Sequence, residues 1–220
     1  FKEICAVKAK EDGLQFLSDN IKGAPIRKQA LYDGIRLVIP VSLGKARLNV
    51  QVDIGFGDSI SPSAEEVDYP TLLQMPAPHL SIYPKEVVVA EKLHAAVDLG
   101  MTNSRMKDFY DIWFLLKTFN FTGMRLGEAI RSTFARRESI IIADPICFTS
   151  EFYKSREKEI QWKSFLRQAN VPDQAMPLES VLLEIRAFLT PILESLISGD
   201  PIKKVWNAKN AIWELLEIVE

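Results

Sequence analysis

The chain is poor in the residues that build metal and thiol sites. Its 220 residues hold two cysteines, Cys5 and Cys147, and two histidines, His79 and His94. The cysteines lie far apart with no metal-type spacing, so neither a zinc site nor a disulfide framework is expected. No apolar run approaches the ~20 residues of a membrane span, and no secretory leader is visible. Charge of one sign is lacking too. Lys and Arg number 27 against 29 Asp and Glu, a net charge of −2, so the whole surface is no electrostatic trap for nucleic acid. Residues 123–170 carry nine basic against six acidic side chains, a mixed surface with a small local basic excess. No strand–GxxxxGK[ST]–helix unit is present, which argues against a P-loop NTPase. No G-x-S-x-G is present, which argues against an α/β-hydrolase. "GFGD" and "LGK" are too short for phosphate loops. What is there is ordinary globular composition, 47% hydrophobic and 25% charged, long enough for one large domain or two small ones. A reduced, cytoplasmic protein is expected. The opening at Phe1 without methionine leads us to expect a truncated or trimmed piece of something longer.

Along the chain, residues 11–30 read as a short amphipathic helix and a loop. "GIRLVIPVSL" (34–43) and "ARLNVQVDIGF" (46–56) flank Gly44-Lys45 and predict an antiparallel hairpin. In the second run Leu48, Val50, Val52 and Ile54 point to one face, expected to be core, and Asn49, Gln51 and Asp53 to the other. Residues 57–84 carry five prolines and no helical period, and mark a candidate domain boundary. From Pro84 the pattern turns helical, over 85–100, 103–119, 124–137, 151–169, 178–198 with an interruption at Pro191, and 202–219. The expected architecture is α+β: a β-containing part over 1–80 and a helical domain over 81–220.

Three positions could carry chemistry. In "NSRMKDFYDIW" (103–113), Met106, Phe109, Tyr110, Trp113 and Leu116 share a broad apolar face. Arg105, Asp108 and Asp111 cluster opposite, beside Ile112 and Leu115. A helix apolar nearly all round is expected to be buried, so its charges face a cleft or another polar element. Two readings stand. One is an internal salt-bridge knot, Arg105 with Asp108 and Lys107 with Asp111; the other is a functional site. In "KEVVVAEKLHAAVDLG" (85–100), Lys92 sits mid-stripe among Val88, Val89, Ala95, Ala96 and Leu99. It either snorkels to the rim or points into a cleft to hold an anion such as phosphate. His94 lies opposite, as a packing or surface residue. Asp53 ends its strand before Gly55 and Gly57. It either caps the turn or is one of several carboxylates on Mg²⁺.

"LNVQVDIGFGD", "YPKEVVVAEKLHAAVDLGMTNSRMKDFYDIW" and "AIRSTFARR" together resemble the AbiEii/AbiGii-type toxins, over roughly residues 1–170 and most specifically over 83–113. The resemblance implies a nucleotidyltransferase fold with a mixed sheet. It also implies Mg²⁺-dependent transfer of a nucleotide from an NTP to an acceptor, an RNA such as tRNA or a protein hydroxyl. A cognate antitoxin is the implied partner. By the same resemblance Asp53, within Val52-Asp53-Ile54, matches the third metal carboxylate. Lys92 matches the family lysine, and Asp108 and Asp111 its D-x-x-D motif. Lys92 would then lie on phosphate, with Asp108 and Asp111 fixing the site or assisting proton transfer. Arg105 and Lys107 would be pairing or nucleotide-contacting groups. The family's Gly-Gly/Ser turn and D-x-D pair do not occur in these 220 residues. The alternative expectation is therefore a non-catalytic interaction or regulatory module on the same fold.

Overall fold

The computed structural model describes residues 1–8, 12–26, 34–56, 60–171, 176–200 and 202–216. The chain divides into two compact units, Phe1–Asp58 and Ser59–Glu220, and the class is α+β as expected.

The first unit opens with α1 (Lys2–Cys5) and is built on the expected hairpin. Strand β3 (Gly34–Leu43) pairs antiparallel with β4 (Ala46–Gly55) along its whole length, from Leu43↔Ala46 to Gly34↔Gly55. The opposite edge of β3 takes β1 (Leu14–Phe16) and β2 (Lys22–Pro25), both antiparallel. The helix expected over 11–30 is therefore replaced, in its described part, by two short strands around a 3-10 turn at Ser18–Asn20. The segment is too short to sustain a helix by local propensity, and the open edge of β3 satisfies its backbone instead. Glu11 and residues 27–30 of that stretch lie outside the described residues, as does Gly57.

Directly opposed side chains share a face, so Ile35, Leu37, Ile39 and Val41 line up with Ile54, Val52, Val50 and Leu48. Burial is concentrated on Ile39 and Val41, whereas Leu48 and Val50 are exposed. The expectation that β4 turns one face to a core thus holds only in part. A sheet needs a second layer to bury a face along its length. The described residues of this unit supply only α1 and a 3-10 turn for that.

The second unit opens with structure where none was expected. Residues within 57–84 form an antiparallel hairpin, β5 (Glu65–Asp68) with β6 (His79–Ile82). Six helices follow: α2 (Lys85–Leu99), α3 (Met106–Thr118), α4 (Gly123–Arg136), α5 (Ser150–Tyr153), α6 (Arg156–Gln168) and α7 (Leu178–Ser198). The helix expected over 151–169 is broken into α5 and α6 at Lys154-Ser155. Helix α7 instead runs through Pro191. Its buried face, with Phe188, Leu189, Ile192 and Leu193, holds it on the core despite the hydrogen bond that proline removes.

The helix expected over 202–219 is a hairpin in its described part, β8 (Lys204–Asn207) with β9 (Ile212–Leu215), and β8 also pairs with β7 (Phe121–Thr122). Val205, Trp206, Ile212 and Trp213 favour a pleated surface, and the turn between them carries Ala211 at φ +54°. Trp206 and Trp213 pack on Phe188 with ring centroids 4.9 and 5.6 Å away. Their indole N–H groups donate to the Leu116 and Phe188 carbonyls at 2.7 and 2.9 Å. Trp206 is buried and Trp213 half-buried, and in each the polar tip is satisfied, as an indole inside a protein requires.

Gly123, the first residue of α4, lets the 202 segment approach closely. A Cβ there would overlap the Ile202 side chain and lie 3.0 Å from its carbonyl oxygen. Gly123→Ala is expected to lower stability by about 1–3 kcal/mol, read as a shift of the urea midpoint at unchanged m-value. An unchanged midpoint would show that the 202 segment can yield without cost.

Candidate functional site

The charges that the sequence places on two separate helices meet across α2 and α3. Lys92 Nζ lies 2.6 Å from Asp108 Oδ1 and 2.8 Å from Asp111 Oδ2. Asp111 also receives Lys107 at 2.5 Å, one helical turn back, and Arg105 stands 4.0 Å from Asp108. Three cations thus surround two carboxylates. Their exposure is graded: Lys92, Asp108 and Asp111 are 20%, 18% and 24% exposed, while Arg105 and Lys107 are 62% and 70% exposed.

The helices explain this gradation. Helix α3 buries Met106, Phe109, Ile112 and Leu116 but leaves Lys107, Phe114 and Lys117 outside. It is amphipathic rather than buried all round, and Asp108 and Asp111 lie at the edge of its buried face. In α2 the buried positions are Glu86, Val87, Val89, Ala90, Leu93, His94 and Ala96. Lys92 is therefore at the rim of the buried stripe, not in its middle. Val88, Ala95 and Leu99, expected beside it in the core, are only half-buried. Burial pulls the Lys92 ammonium toward neutrality, but its hydrogen bonds to Asp108 and Asp111 outweigh that and hold its pKa above the ordinary lysine value. Lys92 stays charged at neutral pH, as a phosphate-holding group must and a general base must not.

Asp53 belongs to the N-terminal unit. Arg36 faces it across the β3–β4 ladder and donates from Nε and a terminal nitrogen to its two oxygens, both at 2.7 Å. This bidentate fork raises the Arg36 pKa. Asp53 thus makes a cross-strand ion pair on the polar face. Mg²⁺ needs several oxygen ligands. Among the described residues no group of three or more His, Cys, Asp or Glu side chains gathers. A lone carboxylate held by an arginine does not fit a magnesium site as it stands; a metal there requires Arg36 to let go and further oxygen ligands to join.

A family model described as the nucleotidyl transferase AbiEii toxin of a type IV toxin–antitoxin system matches residues 1–189. The chain belongs to this AbiEii family. No curated protein matches it in sequence. Among solved structures it is similar to a candidate nucleotidyltransferase from H. pylori, at 16% identity and a TM-score of 0.43, over 86% of this chain and 71% of that one. A likeness that loose decides nothing about the chemistry. Among the described residues of this AbiEii-family chain, no helix is long and apolar enough to cross a membrane.

Several residues around the cluster escape a reading from sequence. Asn103, 1% exposed, accepts the Arg105 N–H at its Oδ1 (2.8 Å) just before α3. Its main-chain oxygen accepts from Lys158 Nζ of α6 at 2.9 Å. On the other side of α2, Glu91 accepts from Arg136 and Arg137 at 3.2 and 2.5 Å, both within "AIRSTFARR". His94 contacts Ser139 Oγ at 2.8 Å and meets Phe134 edge-on. At 5% exposure it is a packing residue, one of the two roles expected for it, and burial first, then the nearby Arg137 charge, lower its pKa. A signal for Lys158 does exist: it lies one turn before Trp162 on the apolar side of its helix. Cys147 is buried and its thiol is pushed up to about 12, far from thiolate chemistry.

Proposed function

We propose that this AbiEii-family chain acts as a cytoplasmic toxin that binds an NTP and transfers its nucleotide to a hydroxyl acceptor, an RNA such as tRNA or a protein, with Mg²⁺ present and a cognate antitoxin opposing it. The observation that carries the reading is the charge cluster at the rim of α2 and α3. An ammonium has three donors, and Lys92 directs two at Asp108 and Asp111, leaving one for an incoming phosphate oxygen. Arg105 and Lys107 are exposed and can turn onto a polyphosphate without disturbing the core. The two carboxylates fix Lys92 in place, and either can accept a proton from an attacking hydroxyl. Mg²⁺ would supply charge neutralisation on the phosphates. Asp53 enters that reading as a metal carboxylate only once released from Arg36. That engaged state favours the second reading, a non-catalytic module that holds nucleotide or partner on the same fold.

Calorimetric titration with each NTP and Mg²⁺ tests the first part. Saturable binding is expected, weakened about tenfold or more in Arg105→Glu with Lys107→Glu, since each reversal sets repulsion in place of a charge-assisted contact. Label transfer from an α-labelled NTP to RNA tests the second. Absence of binding for every NTP would defeat the proposal.

A further inference from the structure

We infer that Lys158 is a positioning residue for the Lys92–Asp108–Asp111 cluster: it fixes where α3 begins, and so which α3 side chains face Lys92. Lys158 comes from α6, 55 residues away in sequence from Asn103, and touches none of the three charged groups in any contact above.

Lys158 is 1% exposed. It donates to the Asn103 main-chain oxygen at 2.9 Å, stands 3.5 Å from Gln161 Oε1, and lies 5.2 Å from the centre of the Phe152 ring. A buried charge is costly unless hydrogen-bonded, and the strongest of these partners is a single carbonyl in the turn between α2 and α3. That turn is short and closely specified. Gly100 ends α2 at φ +50°, ψ −131°, a conformation closed to other residues. A 3-10 turn over Gly100–Thr102 follows, then Asn103. Asn103 is the junction. Its main-chain oxygen is held by α6, and its side-chain oxygen accepts the Arg105 N–H. The Arg105 carbonyl in turn accepts the Asp108 N–H at 3.0 Å. No side chain caps α3 at Arg105. Its starting residue is therefore set by this chain of bonds from Lys158. A start displaced by one residue rotates every α3 side chain by ~100° about the helix axis and carries Asp108 and Asp111 away from Lys92 together.

The test reads the cluster directly and needs no catalytic activity. The ¹⁵N-ammonium resonance of Lys92, assigned by its loss in Lys92→Arg, reports hydrogen bonding through slow proton exchange. Lys158→Met is expected to speed that exchange about tenfold or more, the factor for losing charged hydrogen bonds. Leu166→Ala is the control: it opens a cavity on the same helix, at a residue 2% exposed and two turns beyond Lys158. It should lower the melting temperature yet leave the Lys92 signal as it was. Should Lys158→Met fail to fold, Asn103→Ala keeps the lysine in place and removes only the link to Arg105; it is expected to speed Lys92 exchange likewise. An unchanged Lys92 signal in whichever of these two variants folds would overturn the inference, as would equal loss in Leu166→Ala. The consequence for nucleotide rests on the function proposed above: NTP affinity should fall in Lys158→Met and hold in Leu166→Ala. If the unmodified chain binds no NTP, that proposal fails, while the ammonium signal still decides the role of Lys158.

Discussion

Lys92→Met is expected to destabilise the helical unit by about 2–4 kcal/mol, toward the lower part of the range for breaking a buried ion pair because the cluster is not fully buried. The substitution keeps most of the side-chain volume and removes only the charge. Asp108 and Asp111, each within 2.8 Å of the ammonium, would face each other with only the exposed Arg105 and Lys107 to offset them. In a unit of this size that corresponds to a melting temperature lower by roughly 5–15 °C. The triple variant Lys92→Met, Asp108→Asn, Asp111→Asn removes the repulsion together with the cation and should regain most of the loss, since no carboxylate is left without its ammonium and the two cations that lose a partner, Arg105 and Lys107, are exposed to water. Nucleotide affinity separates stability from function. If Lys92 holds phosphate, the triple variant stays unable to bind NTP although its stability returns. Normal NTP binding in that variant would make Lys92 a structural residue.

The pH dependence has a definite sign. Lys92 has a folded-state pKa raised above its ordinary 10.5. Its contribution to stability is therefore complete below pH 10.5 and is lost as pH climbs through the higher folded-state value. Denaturant midpoints of the unmodified chain and Lys92→Met should stay separated by a constant interval from neutral pH to about that point and converge only above it. Convergence already near pH 8 would mean that the ammonium is not held by its carboxylates in the folded protein.

What could be read in the sequence was local. The spacing of Lys107 and Asp111 predicts their pair, and the helical period places Lys92 beside apolar residues. Neither predicts that Asp108 and Asp111 both turn to Lys92, because that depends on how α2 and α3 are set by the turn between them. The turn is fixed from outside, by Lys158 on α6, and no local pattern reports a bond 55 residues long. The two hairpins of the second unit, β5–β6 and β8–β9, were hidden for a related reason. Their strands are four residues each, too few for alternation to stand out, and prolines or asparagines fill the connections. Strand β8 is decided by its neighbours, Phe121 on β7 and Phe188 on α7, which give Trp206 its place. The β3–β4 hairpin was legible because two ten-residue β-rich runs, the second strictly alternating, flank Gly44-Lys45. Its register then sets Arg36 opposite Asp53, a pairing that a reading of β4 alone does not contain.

That pairing decides what Asp53→Ala should do. Both partners are nearly half exposed, 46% and 43%, and an ion pair in that setting is screened by water and adds little to stability. The variant is therefore expected to melt within a few degrees of the unmodified chain. Under the proposed function its nucleotide transfer should fall about a thousandfold or more, because a lost metal carboxylate removes several kcal/mol of transition-state stabilisation. Arg36→Ala is the informative companion. It breaks the same ion pair at similarly small structural cost, but leaves the carboxylate in place without its arginine. If Asp53 serves only the sheet, the two variants behave alike in every assay. If Asp53 serves a metal, they diverge: Arg36→Ala keeps transfer and needs no more Mg²⁺ for half-maximal activity than the unmodified chain, whereas Asp53→Ala is inactive at any Mg²⁺ concentration. Full transfer by Asp53→Ala would remove the carboxylate from the chemistry and leave it a structural residue of the sheet, with Arg36 and Gln51 among its partners.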